Sequence, residues 1–399
     1  YWRAAHYRSL DPLVMAGNFN LTNVEAIPAI SGIRQNGQRF NRITAQAGLS
    51  GSPRANAIVD IDNDGDLDVL FMGLSVPDGK SRIFLNDGKL AFTPKDIPEV
   101  IDLLAPSSIS IADLNMDTYP DVFIGQLWRT YPDALPNILL MNDNGEGFVD
   151  ATYDRLYPGN WANRRSRGSS FVDYDNDGDQ DLYVTNYFLE SDELWENHGD
   201  GSFTDVIGIK RIDRNRSGSN HGTGIDWGDY DADGDLDLLL PQFAHPGFQL
   251  QYDHRGTTIY RNEGAPNYRF TDMKDSSGIQ FEETHAGGAW GDLNNDGLLD
   301  FYITTYYGCR YVDVYLQQPD HSFRLATFDF GIQEIVSGED VLFVDVDNDG
   351  KLDVLAGDGY RVRLFRNKMP VDNHYVQFDL YSANINHYAI GAKAVMYAG

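Results

Sequence analysis

Nine residues, Asp60–Asp68, read DIDNDGDLD. Carboxylates alternate at positions 1, 3, 5 and 7, and another closes the run at position 9. Like charges this close repel one another unless a counter-cation sits among them. Related nonapeptides begin at Asp113 (DLNMDTYPD), Asp173 (DYDNDGDQD), Asp229 (DYDADGDLD), Asp292 (DLNNDGLLD) and Asp345 (DVDNDGKLD). In D-x-D-x-D-G-x-x-D, positions 1, 3 and 5 project oxygens from a tight loop. Glycine at position 6 permits the turn, position 7 can offer a backbone carbonyl, and position 9 adds a carboxylate. Six or seven hard oxygen ligands suit Ca2+.

The predicted ligand sets are Asp60, Asp62, Asp64, Asp66 and Asp68; Asp113, Asn115, Asp117 and Asp121; Asp173, Asp175, Asp177, Asp179 and Asp181; Asp229, Asp231, Asp233, Asp235 and Asp237; Asp292, Asn294, Asp296, Leu298 (through its backbone) and Asp300; and Asp345, Asp347, Asp349, Lys351 (through its backbone) and Asp353. Five to six Ca2+ sites are expected. In the second loop Thr118 replaces the glycine and Pro120 stiffens the chain. The loops are not EF-hands, which need Glu at position 12. Position 12 is Phe71, Val184, Leu240, Ile303 or Ala356, all in strand-like sequence.

The elements that must hold these loops follow from their surroundings. The starts are 53, 60, 56, 63 and 53 residues apart. Each motif is preceded by an apolar or aromatic stretch and followed by β-forming sequence such as LDVLFMG or DLYVTNY. A turn and another strand come next (RIFLNDG, ILLMNDNG, ELWENHGDG, TIYRNEG, RLFRNK), and a last strand closes the unit (GFVDAT, SFTDV, RFTDM). Four short strands per unit at a period in the fifties predict propeller blades. No helical period of useful length appears, so the expected class is all-β. At the N-terminus, LDPLVMAGN (10–18) and NGQRFNRIT (36–44) match the flanking strands without an acidic loop, which predicts a seventh blade over residues 1–50. The expectation is a seven-bladed propeller over residues 1–370, with calcium loops between the first two strands of most blades.

Composition excludes several functions. The chain of 399 residues carries a formal net charge of −29, against the basic footprint that nucleic acid requires. Hydrophobic residues at 42% and aromatic residues at 13% are those of a folded chain. No run of 18 apolar residues occurs, so no membrane insertion is expected. One cysteine, Cys309, leaves no internal disulfide, which points to a bacterial rather than an animal secreted protein. Calcium loops of ordinary affinity place the chain outside the cell, at its surface or in a periplasm.

The nonapeptide, the DLYVTN-like strand and the GDGSFTDV-like hairpin together resemble the FG-GAP, or VCBS-type, repeats of integrin α-chain propellers and bacterial secreted proteins. The tail NHYVQFDLYSANINHYAIGAKAVMYAG (373–399) resembles the start of an ASPIC/UnbV module, as in cartilage-acidic-protein-like sequences. The resemblance implies a propeller with calcium loops on its lower face and a partner-binding upper face. A protein or glycan partner, or a second copy of the chain, is expected there, in a binding, adhesion or assembly role. The alternative is a polysaccharide lyase or other carbohydrate-active enzyme. Its weak catalytic candidates are His221 and His285, at equivalent places before their motifs, beside Arg164, Arg165 and Arg167. Arg214, Arg216, Arg310, Trp128 and Trp161 also fall in the loops of that face. The plainer reading pairs these arginines with carboxylates, makes the histidines a repeat position with polar neighbours, and buries Trp227, Trp290 and Cys309 as packing.

Overall fold

The computed structural model describes residues 55–370 apart from several loops, together with Ala47 and Leu49. Residues 1–46 and 371–399 lie outside the described residues, and with them most of the N-terminal unit and the ASPIC/UnbV-like tail. Trp128, Trp161, Arg214, Arg216 and Cys309 lie outside them as well.

The described strands form six antiparallel sheets, five of four strands and one of three. Blade 1 holds β1 (Ala55–Val59), β2 (Asp68–Met72), β3 (Arg82–Asn86) and β4 (Phe92–Asp96). Blade 2 holds β5 (Pro106–Ala112), β6 (Asp121–Gln126), β7 (Ile138–Asn142) and β8 (Phe148–Asp150). Blade 3 holds β9 (Ser166–Val172), β10 (Asp181–Asn186), β11 (Glu193–Asn197) and β12 (Phe203–Asp205). Blade 4 holds β13 (Asp226–Gly228), β14 (Asp237–Leu240), β15 (Thr258–Asn262) and β16 (Phe270–Asp272). Blade 5 holds β17 (His285–Gly291), β18 (Asp300–Thr305), β19 (Asp313–Gln317) and β20 (Phe323–Leu325). Blade 6 holds β21 (Asp340–Val344), β22 (Asp353–Asp358) and β23 (Arg361–Phe365). The described residues therefore form an all-β propeller of six blades, which corrects the expectation of seven. Each blade contains one acidic nonapeptide, and the unit without one does not add a sheet to the described set.

Strands follow one another in order within every blade. All acidic loops, which join first to second strands, therefore leave from one end of the blades, here the lower end. The third-to-fourth turns share that end. Connections from second to third strands, and from blade to blade, occupy the upper end.

The core lies between blades rather than within them. Five apolar clusters join successive pairs. Val59 and Leu70 of blade 1 meet Val122 and Ile124 of blade 2, and Phe123 and Leu139 of blade 2 meet Leu182 and Val184 of blade 3. Tyr183 and Leu194 meet Trp227 and Leu238, Leu239 and Ile259 meet Trp290 and Phe301, and Tyr302 and Val314 meet Phe343 and Val354. The second strands are buried along both faces: DVFIGQ, DLYVTN, DLLL and DFYITT have no exposed residue. Successive side chains point to opposite faces, so Leu182 and Val184 pack on blade 2 while Tyr183 packs on blade 4. A strand sandwiched this way needs apolar residues at every position, which explains the continuous β-forming runs. Trp227 and Trp290 are buried packing residues, as the plainer sequence reading expects. Trp290 stacks parallel to Tyr230 of the preceding blade at 5.9 Å.

A polar link runs alongside each apolar one. At the end of the third strand, or just past it, an amide side chain donates to the position-2 carbonyl of the preceding blade's acidic loop. The pairs are Asn142 to Ile61, Asn197 to Leu114, Asn262 to Tyr174, Gln317 to Tyr230 and Asn367 to Leu293, at 2.7–2.9 Å. Asn197 also donates to Gln180 of its own loop at 3.1 Å and accepts the Gly201 N–H at 3.1 Å. Its removal strands buried carbonyls in two blades. Asn197→Ala is expected to cost about 2 kcal/mol of unfolding free energy, the penalty of leaving buried polar groups unpaired. Denaturant melts of the variant beside wild type measure this, and an unchanged midpoint would remove the link from the stabilising set.

Candidate metal loops and the opposite face

The six loops repeat one hydrogen-bond pattern. The position-1 carboxylate (Asp60, Asp113, Asp173, Asp229, Asp292, Asp345) accepts the backbone N–H groups of positions 5 and 6, at 2.8–3.2 Å. The position-5 side chain (Asp64, Asp117, Asp177, Asp233, Asp296, Asp349) accepts the N–H of position 7, at 2.9–3.2 Å. The position-9 carboxylate (Asp68, Asp121, Asp181, Asp237, Asp300, Asp353) accepts the N–H of position 2 with one oxygen, at 2.9–3.4 Å. Its other oxygen accepts the N–H of the third-strand amide residue, at 2.7–2.9 Å. These bonds wind the backbone into a tight turn with position 6 at positive φ. Gly65, Gly178, Gly234, Gly297 and Gly350 meet that demand with φ of 83–98°. Thr118 adopts +84° in the second loop at the steric cost of its Cβ.

The winding brings carboxylates together. One oxygen from each of positions 1, 3 and 9 lies within 4.8 Å of the others in four loops: Asp60, Asp62 and Asp68; Asp173, Asp175 and Asp181; Asp229, Asp231 and Asp237; Asp345, Asp347 and Asp353. In the first three of these loops the position-3 carboxylate keeps one oxygen, Oδ1 of Asp62, Asp175 or Asp231, that is buried and accepts no hydrogen bond. A buried carboxylate oxygen without a donor is costly unless a cation completes it. The hard-oxygen donor set and the three orphaned oxygens both fit a divalent cation in these clusters.

The remaining loops differ. In loops 113–121 and 292–300 position 3 is Asn115 or Asn294, whose amide donates to Asp117 or Asp296 at 2.9 Å and supplies part of the missing positive partner. In loop 345–353 the protein brings its own cations: Arg366 reaches Asp347 at 2.5 Å, and Lys351 reaches Asp349 at 3.2 Å. Leu298 and Lys351 stand at position 7, each held by its backbone N–H. Asp66 and Asp235 lie against the glycine of their blade's third-to-fourth turn, Gly88 and Gly264. Asp179 is buried with an oxygen that accepts no hydrogen bond.

The pattern of the FG-GAP-like repeat family matches residues 60–124, 173–240 and 292–356, which begin at the first, third and fifth acidic loops. The chain carries FG-GAP-like repeats. No curated protein matches it. Among solved structures, a lectin from Agrocybe aegerita, described for specific recognition of non-reducing terminal N-acetylglucosamine, aligns with a TM-score of 0.50 at 19% identity. The alignment covers 82% of this chain and 79% of the lectin, and the likeness is one of fold. The V. cholerae biofilm matrix protein Bap1 aligns at 15% identity and a TM-score of 0.36 over 68% of this chain and 39% of its own. The Malassezia sympodialis allergen Mala s 1 aligns at 11% and 0.40 over 80% and 95%.

Burial in these turns shifts the titration of the position-9 acids and of some of their neighbours. Burial, reinforced by neighbouring carboxylates and only partly offset by backbone N–H bonds, raises Asp68, Asp121 and Asp300 to about 7 and Asp237 to about 9. Asp181 is pushed well above the usual carboxylate range for the same reason. Asp175 rises to about 6 and Asp179 to about 7 through burial and their acidic neighbours.

On the upper face the arginines separate. Arg164 pairs with Glu193 at 3.0 Å, Arg165 with Glu190, and Arg310 with Glu282 at 3.3 Å and Glu283 at 3.5 Å. This is the neutralisation that the plainer sequence reading expects. Arg167 instead lies over two rings, 4.9 Å from the centroid of Tyr187 and 5.3 Å from that of Tyr306. The two histidines have different surroundings. His285 is fully buried, with Nδ1 2.7 Å from the Thr257 hydroxyl and Nε2 3.0 Å from Asp313. Both of its nitrogens are engaged inside the protein, which is a structural role rather than that of a base facing substrate. His221 sits between the Tyr187 and Phe243 rings, at 4.4 and 6.1 Å. The third-strand amide residues escape a reading centred on carboxylates. Their signal is nonetheless present as the recurring Asn in RIFLNDG, ILLMNDNG, ELWENHGDG, TIYRNEG and RLFRNK.

The raised acids set a pH dependence for the protein stripped of divalent cations. An acid whose folded-state value lies above its unfolded value near 4 holds its proton more tightly in the fold. Its ionisation then opposes folding increasingly as pH rises from about 4, and fully once pH exceeds the folded-state value of about 7, or about 9 for Asp237. In EDTA the unfolding temperature should therefore be several degrees higher at pH 5.5 than at pH 8. A temperature that climbs with pH in EDTA would contradict this.

Proposed function

We propose that this protein is an extracellular propeller held in shape by calcium on its lower face, and that it uses its upper face to bind a glycan or protein partner. The observation that carries the calcium reading is the convergence of three carboxylates in each of four loops, with buried, donorless oxygens in three of them. The proposed ligands are positions 1, 3 and 9, joined by position 5 and the position-7 carbonyl, in loops 60–68, 173–181, 229–237 and 345–353. Loops 113–121 and 292–300 are weaker sites with Asn115 and Asn294 as neutral ligands, which brings the expected number to five or six. Bound calcium would supply the positive charge that the crowded carboxylates lack. It acts on structure and takes no part in chemistry. Millimolar extracellular calcium suits loops of this kind, and the acidic surface suits a soluble secreted or surface protein.

A binding role is supported by the division of the molecule. Large aromatic side chains are exposed at the upper end of blades 4 and 5: Phe281 at 46%, Tyr306 at 40%, Tyr311 at 47% and Phe328 at 62%. Exposed rings clustered at one end mark an interaction surface. A fold shared with a lectin is compatible with sugar recognition there, although fold alone does not assign a ligand.

Calcium at 100 times its dissociation constant adds about 2.7 kcal/mol of stability per site. Scanning calorimetry should show an unfolding temperature that rises by well over 5 °C between EDTA and millimolar calcium. Asp231→Asn should lower the calcium stoichiometry by one in titration calorimetry while leaving the fold intact. Identical melts with and without calcium would refute the calcium reading.

A further inference from the structure

The acidic loops touch one another through their fourth residues. Asn63, Met116, Asn176, Ala232, Asn295 and Asn348 all take positive φ, between 56 and 60°. Three of the asparagines donate to the acidic loop of the next blade. Asn63 reaches the Thr118 carbonyl at 2.7 Å and the Thr118 hydroxyl at 3.2 Å. Asn176 reaches the Asp235 carboxylate at 2.8 Å, and Asn295 reaches the Gly350 carbonyl at 2.8 Å. Each acceptor belongs to position 6 or 7 of its loop. Met116 and Ala232 share the backbone conformation but carry no side-chain donor, so no such bond runs from the second loop to the third or from the fourth to the fifth. No acidic nonapeptide follows Asn348. The bonds therefore join the loops two by two: first with second, third with fourth, fifth with sixth.

Asparagine tolerates positive φ better than most residues, which accounts for its presence in a turn but not for its acceptors. Those acceptors lie where the neighbouring loop holds a proposed ligand. The position-7 N–H beside each of them donates to the position-5 carboxylate, Tyr119 to Asp117 at 2.9 Å, Asp235 to Asp233 at 3.0 Å and Lys351 to Asp349 at 3.2 Å. Thr118, the exception to glycine at position 6, gives Asn63 a second acceptor that a glycine lacks. A returning link comes from the later blade. In the fourth blade the Asn262 N–H donates to Asp237 and its side chain donates to the Tyr174 carbonyl of the third loop, both at 2.8 Å. The returning link recurs at every interface between described blades, and the position-4 bond at alternate ones. The third and fourth loops, which each gather three carboxylates beside a buried, donorless oxygen, are thus tied in both directions.

We propose that the six loops work as three two-site units, 60–68 with 113–121, 173–181 with 229–237 and 292–300 with 345–353, in which a divalent cation bound in one loop raises the affinity of its partner through the position-4 asparagine. A loop wound around a cation holds its own end of the shared bond in place. The partner loop then completes the bond by fixing one end rather than two, and the difference appears as tighter cation binding. Coupling of this kind is reciprocal. The inference rests on the calcium reading of the loops and adds communication between them.

Stepwise calcium titration of the full chain against a chromophoric chelator tests it on the third and fourth loops. Asp231→Asn is expected to remove one site and to weaken a second by about fivefold or more, the usual span of coupling between sites. Asp175→Asn should remove the other site of the unit and weaken its partner by the same factor. Asn176→Ala should keep the number of sites and weaken two of them. Adding Asp231→Asn to it should then remove one site with no further loss elsewhere. Met116→Ala, at the same position of a loop without the bond, should leave every affinity unchanged. Ala232 shows that this backbone accepts alanine. Calorimetric melts at saturating calcium check that each variant folds, and Asn63→Ala with Asp62→Asn carries the same test on the first unit should Asn176→Ala unfold the protein. If Asp231→Asn removes one site and leaves all others at wild-type affinity, the coupling is overturned and the calcium sites stand. If a second site weakens equally with and without Asn176→Ala, the asparagine is not the link and the proposal falls. A wild-type chain that takes up no calcium overturns the calcium reading and this inference with it.

Discussion

The position-9 aspartate is the point on which each blade depends. It begins the second strand, it is buried, and it accepts one N–H from its own loop and another from the third strand. Asp181 joins Tyr174 to Asn197 in this way, and Asp237 joins Tyr230 to Asn262. The amide residue so positioned then reaches back to the preceding blade's loop. One carboxylate thus ties loop to strand, and its amide partner ties blade to blade. The same pair recurs in every described blade from the second onwards, with Gln317 in place of Asn in the fifth.

That arrangement explains why a chain with a net charge of −29 folds at all. Many of its acids lie in the loops at the lower ends of blades, where backbone N–H groups face them, while apolar clusters join each blade to the next. Phe123, Tyr183, Tyr302 and Trp227 are fully buried between neighbours, each worth roughly 1.5–3 kcal/mol of burial. Electrostatic opposition and apolar cohesion occupy different layers. In the last blade the Lys351 and Arg366 side chains offset part of that opposition, and the proposed cations would offset it in the other loops.

The two ends of the molecule divide the work. The lower end repeats, because the same loop must solve the same backbone problem in each blade. The upper end repeats less strictly: Tyr187, Phe243 and Tyr306 stand six residues past the position-9 aspartate in three successive blades, whereas Arg167 lies over two of these rings. Loops held by a repeating scaffold are free to carry side chains that the repeat does not dictate.

The all-β class, the strand order within a unit, the places of the acidic loops and the burial of Trp227 and Trp290 were legible in the sequence. They depend on local pattern: period-two burial, turn residues and the spacing of oxygens along nine residues. Blade number was not, because it depends on which units pair into sheets. The weak likeness of residues 10–18 and 36–44 to flanking strands carries no information about their partners. The recurring Asn of the third strand was visible as a letter, but its bond to a carbonyl more than 70 residues earlier exists only once two blades pack. Tertiary structure alone decided the upper face. It paired Arg164, Arg165 and Arg310 with acids, enclosed His285 between Thr257 and Asp313, and set Arg167 over two tyrosines, because contacts between residues up to 139 apart arise from the stacking of blades and not from any local pattern.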